Sequence, residues 1–118
     1  MSDLSKKPEP NYAAVYAAAL YPQLAKIARQ HGYALAVHGS LARDFDLIAV
    51  PWTEEAADPE VVVKEFTTAF WIKLRGEENP KQMLHGRIAY FISVGHGDCA
   101  IDLSFMPRII NPSNKENS

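Results

Sequence analysis

At 118 residues, 47% of them hydrophobic and 22% charged, with a formal net charge of −2 and one cysteine, the chain has the length of a single domain and enough apolar residues for a core. These values exclude an internal disulfide and the strongly basic footprint of a duplex nucleic-acid binder. No apolar run approaches the ~20 residues of a membrane-spanning helix. Met1 to Pro10 is polar, carries two lysines and two prolines, and lacks the apolar core of a signal peptide. With the lone Cys99, this gives the expectation of a cytoplasmic protein.

Residues 1–10 read as a flexible lead-in, residues 11–107 as the single domain, and residues 108–118, with Pro112 and a polar run, as a disordered tail. Asn11 is a candidate N-cap for a first helix, in which Tyr16, Leu20, Leu24 and Ile27 recur at helical spacing until Gly32. Pro22 predicts a kink or a restart there. Tyr33 to His38 reads as the first strand and Asp44 to Val50 as the second, stopped by Pro51. The acidic loop Trp52 to Asp58 follows. Asp58-Pro59 then caps a second helix predicted to reach about Leu74, with Val62, Phe66, Ala69, Phe70 and Lys73 along one stripe. A polar loop with Asn79-Pro80 precedes a third strand, Ile88 to Val94. Gly95-His96-Gly97-Asp98 is a turn signal, and Cys99 to Met106 is the fourth strand, hairpinned with the third. The predicted architecture is α+β, in the order αββαββ: a small mixed sheet of about four strands with two helices packed on it.

The chemistry is concentrated between His38 and Pro51. Gly39-Ser40 follows the first apolar run, and Asp44 and Asp46 open the second, two residues apart. In a strand they project on one face, about 7 Å apart. Asp102 lies inside another apolar run, Ile101 to Met106, and on a neighbouring strand would approach Asp46 to roughly 5 Å. Unit charges about 4 Å apart repel by ~4 kcal/mol at an effective dielectric near 20. Three such carboxylates hold a cation, share a proton or point apart. The bland reading of the same residues is a solvated Asp-x-Asp turn with Arg43 in a salt bridge. His38 reads more readily as a partly buried, hydrogen-bonded histidine than as a ligand-contacting one. His96-x-x-Cys99 supplies two soft ligands, short of a zinc set.

Gly39-Ser40, Asp44-Phe45-Asp46-Leu47 and the later strand with Asp102 resemble the DNA polymerase β-like nucleotidyltransferase superfamily, over roughly Tyr33 to Met106. The whole chain also resembles a group of small phage- and prophage-encoded proteins with a His-Gly-Ser…Arg-Asp-x-Asp-Leu-Ile-Ala-Val-Pro segment. The resemblance implies that Gly39 and Ser40 hold a nucleotide's phosphates, with Arg43 available to them. It implies that Asp44, Asp46 and Asp102 hold Mg2+ (or Mn2+) as the metal-binding and catalytic carboxylates, Asp102 assisting the attacking hydroxyl. It further implies transfer of a nucleotidyl group from a nucleoside triphosphate to a hydroxyl acceptor. Only Leu41, Ala42 and Arg43 separate Gly39-Ser40 from Asp44, fewer residues than the family places there. Two alternatives therefore stand beside the enzyme: a non-catalytic module that captures a nucleotide or nucleotide-like signal, such as a phage protein sequestering a host immune nucleotide, and a scaffold for protein interaction. A protein partner or a homodimer through an unpaired strand edge belongs to the same set of expectations.

Overall fold

A computed structural model describes residues 13–42, 44–70, 73–74, 79–93 and 100–108. In chain order these form α1 (Ala13–Gln30), β1 (Tyr33–His38), β2 (Phe45–Pro51), α2 (Pro59–Phe70), β3 (Lys73–Leu74), β4 (Lys81–Gln82), a 3-10 turn (Leu84–Gly86), β5 (Ile88–Ser93) and β6 (Ala100–Phe105). The expected α+β class and the four principal strands are present. The sheet nevertheless has six strands rather than about four, because two-residue strands add to its far edge. Its order is β1-β2-β6-β5-β3, with β4 also on β5. β2 and β6 run parallel, while the pairs β1–β2 and β5–β6 are antiparallel, so the predicted pairing of the last two long strands holds and the sheet is mixed.

Alternation along the strands decides which face is covered. Tyr33 and Leu35, then Phe45, Leu47 and Ala49, then Ile101, Leu103 and Phe105, then Tyr90 and Ile92 all point to one face and are buried. Leu24, Ala25 and Ala28 of α1 and Val62, Val63 and Phe66 of α2 pack onto that face, completing one core. Between these positions Ala34, Ala36, His38 and Val50 are exposed and Asp46, Ile48 and Asp102 are half-buried, so the β1–β2 half of the second face is open. Among the described residues no helix is long and apolar enough to cross a membrane.

Several details differ from the sequence expectation. Pro22 lies inside α1, so the helix does not restart there. It and Ala18, whose carbonyl loses the N–H it would otherwise accept from residue 22, are both exposed, so solvent can reach that carbonyl. α2 ends at Phe70, and Lys73 and Leu74 instead pair with Ser93 and Ile92, so Lys73 is not on the helical stripe. Edge pairing with β5 satisfies those backbone groups where local propensity favoured more helix. Arg108, first residue of the expected tail, is held by Asp58 at 2.6 Å and by the Ala56 carbonyl at 3.3 Å. Asn11, the loop 95–98 and residues 109–118 lie outside the described residues.

The outer edge of β1 is blunted by a side chain. Tyr21 of α1 donates its hydroxyl to the Leu35 carbonyl at 2.6 Å, covering the middle of a strand that carries no lysine, proline or other charge-bearing protection of its own except His38 at its end. Tyr21→Phe is expected to cost about 1 kcal/mol in urea unfolding. It should also make self-association through this edge easier to detect by analytical ultracentrifugation.

Candidate functional site

The site is built by register. β1 and β2 pair so that His38 faces Asp46, and β2 and β6 pair so that Asp46 lies beside Asp102. His38, Asp46 and Asp102 thus form a row across three adjacent strands, each step about 4.8 Å, on the open face of the sheet. Phe45 and Ile101, their neighbours in register, are fully buried on the other face and fix the row's orientation. Neither Asp46 nor Asp102 has a hydrogen bond or ion pair to another described residue, although both are half-buried.

Their electrostatics follow from that placement. Burial pushes the Asp102 carboxyl above the ordinary carboxylate range. The Asp46 charge pushes it further, while His38 and Arg87 pull weakly the other way. Burial likewise raises Asp46, with His38 opposing and Asp44 adding to the rise. Two neighbouring carboxylates that disfavour each other's ionisation are a pair in want of a cation.

Asp44 has a different position from the one its spacing suggested. It precedes β2 rather than opening it, and its Oδ1 accepts the Ala100 N–H at 3.2 Å, tying the entry of β2 to the start of β6. Its charge still reaches Asp46 and Asp102, but one of its oxygens is engaged. Arg43 lies outside the described residues.

Gly39-Ser40 forms the bend that joins β1 to the row. Gly39 has φ +75° and Leu41 φ +57°, and Ser40 Oγ accepts the Ala42 N–H at 3.1 Å. A Cβ at Gly39 would run into the Asp46 carboxylate and displace it, and the positive φ favours glycine there. Gly39→Ala is expected to cost about 1–2 kcal/mol for the left-handed backbone alone. It should also turn Asp46 away from Asp102, read as lower stability in urea and weaker divalent-cation binding by the same variant.

A hard divalent cation asks for oxygen donors. Among the described residues no set of three His, Cys, Asp or Glu side chains is spaced to enclose a metal ion. Mg2+, however, keeps several waters and is bound by one or two carboxylates together with substrate phosphates. The all-oxygen pair Asp46 and Asp102, adjacent and otherwise unbonded, fits that mode; a closed protein cage does not.

His38 is the row member that the sequence reading set aside. Its ring is exposed and makes no hydrogen bond to a described residue. The signal that would have found it was the antiparallel pairing of β1 with β2, which follows from the short link between two apolar runs and puts His38 opposite Asp46. Comparison of the chain with family models, curated proteins and solved structures yields no match.

Proposed function

We propose that this protein binds a nucleotide together with Mg2+ (or Mn2+) on the open face of its sheet, and that it transfers a nucleotidyl group to a hydroxyl acceptor as polymerase β-like nucleotidyltransferases do. One observation carries the reading: Asp46 and Asp102 stand side by side on parallel strands, half-buried and without an ion pair to any described residue. In this account Asp46 and Asp102 hold the cation, and Asp44, anchored on Ala100, braces the entry of β2 and adds negative charge. The cation, when bound, neutralises the phosphate charge that develops in the displacement. The Gly39-Ser40 bend next to Asp46 is where phosphate oxygens would lie, taken by its backbone N–H groups. Asp102, at the end of the row away from that bend, accepts the hydrogen bond of the attacking hydroxyl.

A second reading has its own support. Only Leu41, Ala42 and Arg43 link Gly39-Ser40 to Asp44, and a Cβ at Gly39 would meet the Asp46 carboxylate; both leave little room for phosphate at the bend, which favours capture of a nucleotide-like signal without turnover. Titration calorimetry with the four ribonucleoside triphosphates, cyclic dinucleotides and monophosphates, each with Mg2+ or with EDTA, separates these readings when paired with chromatography of the nucleotide afterwards. Mg2+-dependent binding with pyrophosphate release indicates transfer, and binding with the nucleotide recovered intact indicates capture. Absence of Mg2+-dependent binding across the panel removes both and leaves an interaction scaffold.

A further inference from the structure

The open half of the second sheet face carries residues of the wrong kind for water. β1 and β2 are antiparallel with the core on one side, an arrangement that ordinarily alternates apolar inward and polar outward. His38 and Asp46 obey that rule. The outward pairs that follow do not: Ala36 lies opposite Ile48, and Ala34 opposite Val50. Ala34, Ala36 and Val50 are exposed, Val50 by 43%, and Ile48 is half-buried. The open area ends at β6 and β5, where Ser104 and Ala89, in register with Ile48, are 3% and 1% exposed.

This apolar strip adjoins the carboxylate row. Successive outward residues of a strand are about 7 Å apart, so Ala36 and Ile48 lie one step from His38 and Asp46, and Ala34 and Val50 lie two. Along the strands the order is the Gly39-Ser40 bend, the carboxylates, then the strip. That is the order of phosphate, cation, ribose and base in a metal-bound nucleotide. Size argues against a protein partner, which needs about 800 Å² per side from some 20 or more residues. Four side chains, two of them alanine, fall far short of that and match one flat ring system. None of the four has a donor or acceptor to offer, and the backbone between them is spent on the β1–β2 ladder.

We infer that Ala34, Ala36, Ile48 and Val50 seat the nucleobase, on a surface that responds to the area of the ring and not to the groups on its edge. This rests on the nucleotide and cation binding at Asp46 and Asp102 proposed above. Purines bury more area on such a floor than pyrimidines and bind more tightly. Adenine and guanine, which differ in their edge groups, are accepted alike.

The test is titration calorimetry of the full chain in Mg2+ with ATP, GTP, CTP, UTP and inorganic tripolyphosphate, which has the phosphates but no sugar or base. ATP and GTP are expected to bind at least about tenfold more tightly than tripolyphosphate and within about threefold of each other, with CTP and UTP between. Ala36→Gln and Val50→Gln, both at exposed positions, lay a polar chain over the floor. Each should bring ATP and GTP close to the tripolyphosphate level while Mg2+-tripolyphosphate binds as it does to the wild type, which also reports that the variant is folded. Nucleotides no tighter than tripolyphosphate overturn the base seat and leave the aspartate site standing. So does discrimination between ATP and GTP of tenfold or more, or purine binding that both variants leave unchanged. Absence of Mg2+-dependent binding by any of the five removes the aspartate site, and the base seat with it.

Discussion

Asp46→Asn and Asp102→Asn are each expected to lower Mg2+-dependent nucleotide affinity roughly 100-fold, the scale of ~3 kcal/mol for removing one partner of a desolvated charge pair. The same variants should make the metal-free protein more stable, not less. Both carboxyls are raised in the folded state above their unfolded values. Between the ordinary carboxylate range and those raised values the folded protein binds more protons than the unfolded chain. Stability therefore falls as pH rises through that window and is recovered as pH falls back through it. Above it the ionised pair destabilises the fold, and one amide in its place relieves the like-charge contact by about 0.5–1 kcal/mol. Thermal melts of the wild type and both variants in EDTA at pH 7, repeated with Mg2+ and nucleotide, read the two effects with opposite signs. A variant that melts lower than wild type in EDTA, while binding nucleotide as wild type does, would place these acids in an ordinary structural role.

Phe105→Ala is expected to destabilise by about 3–5 kcal/mol, the range for emptying a buried phenylalanine site. Phe105 is 1% exposed at the end of β6. It is packed edge-on by Tyr33 at a centroid distance of 5.2 Å and by Tyr90 at 5.8 Å, both with rings at 81°. The site cannot collapse easily, because Tyr33 is anchored through its hydroxyl to the Ala57 carbonyl at 2.7 Å. β6 is also central, paired with β2 on one side and β5 on the other, so a void there weakens both seams. Urea unfolding followed by intrinsic fluorescence measures the change. A loss under about 1.5 kcal/mol, within the range of a volume-conserving swap, would mean that the aromatic triad is not central to the core.

Asp46 and Asp102 were legible as neighbours because each sits inside a short apolar run, and such runs with alternating burial are what the sheet pairs side by side. The helices were legible from their apolar stripes, since the core is where those stripes end up. The last turn assigned to α2 was not, because Lys73 and Leu74 are held by Ser93 and Ile92, distant in sequence, and local propensity carries no record of that pairing. Asp44 misled for a related reason. Its two-residue spacing from Asp46 implies a shared strand face only if the strand already includes it, and here the Ala100 N–H captures it just before β2 begins.

The central claim is that Asp46 and Asp102 jointly hold a divalent cation that a nucleotide completes. Its most direct test is anomalous diffraction from crystals grown with Mn2+ and a non-hydrolysable nucleoside triphosphate. The account predicts one strong manganese peak bridging the two carboxylates, with phosphate density against Gly39 and Ser40. Manganese found elsewhere on the protein, or a nucleotide bound with no metal between these two side chains, would contradict it.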